Sequence, residues 1–260
     1  MSVEVVHWNP RKRVVPGLLG KFIPIRRAVN NFGDLLGPLI VDEILAERGL
    51  SGSDTAQRLL TVGSILHLAN PGDYVWGTGM NGKKELGDVK DLGLHVTAVR
   101  GPLTRRVLQD SGLQVPAVYG DPGLLWSRYW PRDSYVTSAT RSVGIVPNLH
   151  DWPKYADDPR VISPIGHPHK VIKEIAACEL VVASSLHGIV IAESFGIPAR
   201  LIPPASEPMH KYLDYYGGTG RSLNPASTLD EAIELGGDVP PRWDPVPLLD
   251  AFPEHLWSAA

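Results

Sequence analysis

One cysteine, Cys178, occurs in 260 residues, so no disulfide can form within the chain. Its neighbours Ala176, Ala177, Leu180 and Val181 are apolar, a setting in which a thiol behaves as a small buried hydrophobe rather than a nucleophile. Excess positive charge is also missing. Lys and Arg number 25 against 28 Asp and Glu, for a formal net charge of -3, which removes the basic footprint of a nucleic-acid binder. Arg26 and Arg27 form a small basic pair that reads as solvated surface. No apolar run reaches the roughly 18 residues that a membrane span needs; the longest, residues 180–192, is broken by Ser184, Ser185 and His187. The opening residues Met-Ser-Val-Glu-Val-Val-His-Trp have neither the basic nor the apolar region of a secretory signal. A cytoplasmic protein is expected, which is compatible with contact at the inner face of the membrane. No His/Cys/Asp cluster has metal-ligand spacing, so no tightly bound metal is expected.

What is present is ordinary for a globular protein: 43% hydrophobic and 20% charged residues. The 26 Gly and 24 Pro are spread along the chain and predict many short loops rather than disorder. Short apolar runs at 3–8, 59–62, 73–76, 94–99 and 115–119 alternate with helical patterns at 34–48 and 102–111. The first helix carries Leu35, Leu39, Ile40, Ile44 and Leu45 at helical spacing and ends at Gly49. After a polar and aromatic stretch at 127–141, a second series follows: strands at 142–146, 160–163, 179–183 and 200–202, helices at 168–177, 185–195 and 229–235. Such alternation predicts βαβ units and parallel sheets. The expected fold is α/β, with two Rossmann-like lobes facing a cleft, at 1–128 and 140–236. The proline-rich tail 237–260 is expected to pack back across a lobe.

Candidate chemistry clusters at strand ends. The run Val181-Val182-Ala183-Ser184-Ser185-Leu186-His187-Gly188 passes from an apolar strand through a Ser-Ser turn into a helix. There, free N–H groups and the positive end of the helix dipole suit an anion, and Ser184 or Ser185 can cap the helix. His187 falls in the first turn; it is either a satisfied core histidine or a general acid whose proton a bound dianion would favour. Asn31, Gly33 and Asp34 precede the first long helix, where Gly33 permits close approach of backbone to a ligand. Arg100 and Asp121 each follow a strand; they can meet an anion or pair with one another in the interior. Residues 207–221 contain Lys211 and Arg221, which suit phosphate, and tyrosines including Tyr215, which suit a sugar face; an ordinary amphipathic helix explains them equally well.

Asn31-Phe-Gly-Asp34, Arg100-Gly-Pro-Leu-Thr104, Gly120-Asp-Pro122 and Ser184-Ser-Leu-His-Gly188 followed by Ala192-Glu-Ser-Phe-Gly-Ile-Pro198 stand in the order found in one family. In these motifs, over roughly residues 30–220, the chain resembles the polysaccharide pyruvyl transferases, nearest the xanthan-type ketal pyruvate transferase branch. The resemblance implies an architecture similar to the GT-B glycosyltransferases. It implies phosphoenolpyruvate as donor substrate with no separate cofactor, and a terminal sugar of a lipid-linked oligosaccharide as acceptor. It also implies that His187 is the catalytic histidine. Some relatives carry Arg immediately before Leu-His, where this chain has Ser185, so the donor carboxylate needs another cation; Arg100 and Lys211 are the candidates. On this reading His187 is the acid, and Asp34 or Asp121 assists the acceptor hydroxyl. Ser184, Ser185, Gly188, Arg100, Lys211 and Arg221 hold the donor, and Asn31, Gly33, Gly63, Ser64, Gly79 and Tyr215 meet the acceptor. The rival readings are a nucleotide-sugar glycosyltransferase of the same architecture, for which no base or ribose signature is visible, and a non-catalytic member of a polymer-assembly machinery.

Overall fold

A computed structural model describes residues 2–13, 25–53, 56–83 and 89–259; the outer limits of the expected segments, residues 1 and 260, lie outside these. Strand β1 (Glu4–Val6) opens the chain, and β2 (Arg11–Arg13) pairs antiparallel with β3 (Arg26–Ala28) as a separate ribbon. A 3-10 turn, Phe32–Leu35, leads into helix α1 (Leu36–Arg48). Strands β4 (Arg58–Leu60), β5 (Tyr74–Trp76) and β6 (His95–Ala98) follow, then α2 (Pro102–Asp110). The second series is β7 (Arg141–Val146), α3 (Pro168–Ala176), β8 (Cys178–Ala183), α4 (Leu186–Ser194), β9 (Ala199–Leu201), α5 (His210–Gly218) and α6 (Leu229–Leu235). Helix α7 (Val246–Asp250) lies in the tail.

The α/β expectation is met by two parallel sheets, in the orders β1-β4-β5-β6 and β7-β8-β9. Registers run Val5 to Leu59, Leu59 to Tyr74 and Tyr74 to His95 in the first sheet, and Val146 to Ala183 to Leu201 in the second. β8 is central, and Val181, Val182 and Ala183 are fully buried, as a parallel strand covered on both faces requires. Two expected strands contract to single bridges. Residues 115–119 meet the first sheet only at Tyr119, opposite Val99, because Pro116 has no N–H for a ladder. Residues 160–163 exchange two hydrogen bonds with Ile145, and Pro159 and Pro164 bracket them.

The buried stripe of α1 is Leu36, Ile40 and Ile44, with Val41 beside it; Ile40 and Ile44 are as the spacing suggested, while Leu35, Leu39 and Leu45 are only partly buried. The helix packs that stripe against β1 and residues 122–129. Each fully buried Leu or Ile here contributes about 1.5–3 kcal/mol. One apolar cluster joins both sheets, taking in Ile40, Trp76, Trp126, Val181, Ile189 and Leu248. The tail lies across the first sheet: the Trp76 indole donates to Leu248 O at 2.8 Å and Ser258 N to Gly52 O at 2.9 Å. Cys178 is buried, its thiol donating to Glu174 O and pushed up to about 11 by burial, which suits packing and not nucleophilic attack.

Helix α2 has no cap of its own at Gly101; Asp214 of α5 supplies one. Its Oδ1 accepts from the N–H groups of Leu103 and Thr104 at 2.9 and 3.0 Å, and its Oδ2 from the Thr104 hydroxyl at 2.7 Å. This ties the second series to the first, next to the cavity described below. Among the described residues, no helix is long and apolar enough to cross a membrane.

Candidate active site

Both sheets aim the carboxyl ends of their strands at one cavity of about 230 Å³. Trp8 follows β1, Ser64 follows β4, and Asn81 and Lys83 follow β5. From the second sheet, Asn148 and His150 follow β7, Ser185 and His187 follow β8, and Glu207 and Lys211 follow β9. Open parallel sheets hold ligands in this position, outside the carboxyl ends of the strands. Asn31 and Asp34 enter from the turn before α1.

Helix α4 presents its N-terminus to the cavity. Ser185 is the N-cap, its Oγ accepting from Gly188 N at 3.3 Å. The first-turn N–H groups of Leu186 and His187 have no partner among the described residues. With the helix dipole behind them they form a ready anion site.

His187 stands in that turn, 8% exposed. Its Nε2 faces Oδ2 of Asp121 at 3.8 Å, and neither atom has a hydrogen-bond partner among the described residues. Buried polar atoms without partners are rare; two facing each other beside an anion site mark a place built for something other than stability. Burial pushes His187 down to about 3, aided by the charges of Lys211 and Arg100, so the imidazole is neutral. Burial pushes Asp121 up to about 6 against the charge of Arg100 and the hydrogen bond from Gly123 N. Asp34 is likewise pushed up to about 6 by burial, against a 2.5 Å hydrogen bond from Asn31 Nδ2 and the charge of Lys211. Groups whose protonation preferences are displaced in this way are what proton transfer near neutral pH requires.

The cations of the cavity share one carboxylate. Lys83 Nζ donates to Glu207 Oε1 at 2.6 Å and Lys211 Nζ to Oε2 at 2.5 Å, while His150 Nε2 lies 3.8 Å from Oε1. Burial opposes the ionised form of Glu207, but Lys211 and Lys83 hold its carboxyl below the usual glutamate range. Glu207 therefore occupies the cations that an anionic ligand would meet.

Gly33 fixes the ring. A Cβ at that position would stand 2.5 Å from Cγ of His187, a separation no side chain tolerates. Gly33→Ala is expected to shift the imidazole and to lower turnover by about a hundredfold, since a misplacement of about 1 Å costs that much. The melting temperature falls by only a few degrees, as overpacking of about 1–3 kcal/mol implies. Steady-state kinetics beside a thermal melt check both; unchanged turnover in a folded variant contradicts the placement.

The remaining expected site residues divide into layers. Asn31, Asp34, Ser64, Ser185, His187 and Lys211 line the cavity. Gly33 and Asp121 stand directly behind His187. Arg100 is fully buried and does not line the cavity. Its Nε and Nη2 pair with Asp214, Nη2 also donates to Met80 O at 2.7 Å, and Nη1 donates to Ser64 Oγ at 2.8 Å. Its reach into the cavity is through Ser64, so Lys211 and Lys83 are the cations at hand. Gly79 lies under the Arg100 guanidinium, and Gly63 O accepts from Gly79 N and the Thr78 hydroxyl. Ser184 sits one layer beneath, its Oγ accepting from Asn148 N and its carbonyl from the Tyr212 hydroxyl. Gly188 packs α4 on β7, where a Cβ would stand 2.8 Å from Val146.

Two expected residues turn away. Tyr215 is fully buried and donates to Glu193 at 2.5 Å, and Arg221 forms a fork to the same carboxylate, both bonds at 2.7 Å. Glu193 lies on the buried helix α4 and must be paired there, which draws both partners inward. Trp8, Asn81, Lys83, Asn148, His150 and Glu207 line the cavity without having been anticipated. All of them follow strands, so the strand-end rule applied to every strand is the signal that would have found them.

A family model described as polysaccharide pyruvyl transferase matches residues 31–206. The chain is 27% identical over 230 residues to a succinoglycan biosynthesis protein, ExoV, of Rhizobium meliloti (strain 1021). That match covers 83% of this chain, which spans 65% of the relative's length. A crystal structure of a functionally uncharacterized protein from Klebsiella pneumoniae subsp. pneumoniae NTUH-K2044 has a similar fold, with a TM-score of 0.54 at 11% identity over 86% of this chain and 93% of that one.

Proposed function

The chain belongs to the polysaccharide pyruvyl transferase family, and from that premise we propose that it moves the pyruvyl group of phosphoenolpyruvate onto a terminal sugar of an exopolysaccharide or cell-wall repeat unit, as a ketal, with release of phosphate. The observation that carries this reading is the neutral, partnerless His187 at an open helix N-terminus, flanked by Asp121 and by two lysines in one cavity. The arrangement is read as GT-B-like, with the donor on the α4 side and the acceptor, a lipid-linked oligosaccharide, on the side of Asn31 and Ser64.

The donor carries a carboxylate and a phosphate. The N–H groups of Leu186 and His187, with Lys211 and Lys83, take them in place of Glu207. Their negative charge next to the ring restores a proton to His187, and the carboxylate of Asp121 supports the imidazolium from behind. A sugar hydroxyl attacks the carbon bearing phosphate while the imidazolium protonates the methylene carbon, forming a methyl group. Asp34, which lines the cavity, takes the proton of the attacking hydroxyl. A second hydroxyl then attacks the same carbon and gives its proton to the now neutral His187, phosphate leaves with the bond electrons and the proton held by Asp34, and the ketal closes. Holding two hydroxyls against one carbon supplies much of the rate.

The reacting state carries one proton among Asp34, Asp121 and His187. Both carboxyls lie at about 6 and the imidazole at about 3 in the free site. Above pH 6 the site loses that single proton, and below it gains a second on a carboxyl that must stay ionised. The expected kcat/KM profile is therefore a narrow bell peaking near pH 6, whose limbs belong to the coupled groups together. Initial rates across the neutral and acid range check it; a rate that climbs steadily through pH 8 contradicts the assignment of His187 as acid.

Donor recognition is tested by melting the protein with and without ligands, since a ligand that binds only the folded state raises the melting temperature. Phosphoenolpyruvate is expected to raise it for the native protein and not for Lys211→Met. A shift caused by nucleotide sugars and not by phosphoenolpyruvate would replace the donor in this reading.

A further inference from the structure

Between Glu4 and Asp34 the chain has no acidic residue, yet it carries Arg11, Lys12, Arg13, Lys21, Arg26 and Arg27. In a protein of net charge -3 this is a local reversal of sign. Sequence separates the basic groups into two small clusters, and the fold puts them side by side. In the β2–β3 ribbon Lys12 stands opposite Arg27 and Arg13 opposite Arg26. All five cations of the two strands are exposed, and none is within ion-pair distance of a carboxylate among the described residues. Like charges directly opposite on neighbouring strands repel, and a two-stranded ribbon outside any larger sheet is marginal by itself. Backbone and side-chain bonds at its base hold it: Val29 N donates to Pro10 O, Asn30 N to Asn9 Oδ1, and Asn9 Nδ2 to Asn30 Oδ1. The fold thus maintains a repulsive arrangement that no ion pair among the described residues offsets.

The ribbon adjoins the mouth of the active-site cavity. Trp8, just before β2, and Asn31, just after β3, both line that cavity, and Lys12 Nζ lies over the Trp8 ring at 5.9 Å. Residues alternate in direction along a strand, so Lys12 and Arg27 share one face while Arg11, Arg13 and Arg26 share the other. An anion that met only Lys12 would be a small ligand at the rim; cations on both faces, spread along two strands, suit an extended anionic surface.

We propose that the β2–β3 ribbon docks on an anionic lipid bilayer through its phosphate headgroups, holding the cavity mouth beside the membrane surface. Juxtamembrane cations act additively and within a screening length of the surface, and the five here are brought together on one strand pair. This docking does not depend on the chemistry proposed for the cavity.

The experiment is cosedimentation of the full chain with vesicles of phosphatidylcholine alone, or of phosphatidylcholine with about 30% phosphatidylglycerol, a composition that gives the bilayer a negative surface potential. The native protein is expected to sediment with the anionic vesicles only, and to be released at about 0.5 M salt, where charges are screened within several ångströms. The triple variant R11Q/R13Q/R26Q is expected to bind about a hundredfold more weakly, at about fivefold per cation removed. Its melting temperature should equal or exceed that of the native chain, because Arg13 no longer faces Arg26; a lower one would mean that the charges serve the fold, and would count against docking. Equal binding to neutral and anionic vesicles by the native protein overturns the proposal without any variant. So does undiminished binding by the triple variant. Tighter binding of single-stranded DNA than of anionic vesicles at the same salt would assign the ribbon to nucleic acid instead.

Discussion

His187→Asn is expected to lower kcat by about 10²–10⁴-fold, the range spanned by positioned acid–base groups, while the KM for the donor changes far less. The donor is held by the helix N–H groups and the lysines, which asparagine at the second helical position leaves in place. The fold should tolerate the change because the buried imidazole is neutral and forms no charged pair that its loss would orphan. Acid titration of stability adds a second readout. Unfolded histidine takes its proton near pH 6.5, but burial holds His187 at about 3 in the folded chain. Between those values the unfolded state binds the extra proton, so the native protein loses stability from this residue as pH falls through that window. The asparagine variant lacks this loss and should resist mild acid better than the native chain, in denaturant titrations at matched pH. A variant with normal turnover would make His187 a packing residue.

Asp214→Ala is expected to be the most damaging change to the fold. Asp214 is fully buried and accepts from Leu103 N, Thr104 N, Thr104 Oγ1 and Arg100 Nε. Removing it strips the N-terminus of α2 of its cap and leaves the fully buried Arg100 without its counter-ion. Breaking a buried pair in this way costs about 3–5 kcal/mol, and loss of a cap about 1 kcal/mol more. In a chain of this size the melting temperature should drop by roughly 10 °C or more. Asp214→Asn, which keeps an acceptor oxygen but not the charge, should fall between. Arg100 holds Ser64 in the cavity wall, so any alanine variant that stays folded should also bind acceptor less well. A melt within a degree or two of the native value contradicts the structural role assigned to this pair.

Local pattern made the centre of the site legible. The apolar run into Ser184-Ser185 and the helical pattern after it place His187 at a strand end facing a helix N-terminus, and the structure has that junction at β8 and α4. Asp34 beside Gly33 was legible as a helix start near backbone open to close approach. Contacts between residues far apart in sequence were not. Arg100 meets Asp214 across 114 positions, and Arg221 meets Glu193 across 28. A charge in sequence looks equally available whether it faces water or a buried partner, so Arg100 and Arg221 read as ligands and Tyr215 as a sugar platform. Glu207 was passed over for the opposite reason: only the fold shows that Lys83 and Lys211 converge on it. The basic ribbon escaped for the same cause, since its two clusters become one surface only when β2 pairs with β3.

The most direct measurement incubates the purified chain with phosphoenolpyruvate and a panel of saccharide acceptors, including a mannoside bearing an alkyl tail, and follows phosphate release together with the mass of the acceptor. One acceptor is expected to gain a pyruvyl ketal as phosphate appears in equal amount, and both signals should vanish in folded His187→Asn. Phosphate without a modified acceptor, or a modified acceptor made equally well by the His187 variant, would contradict the account.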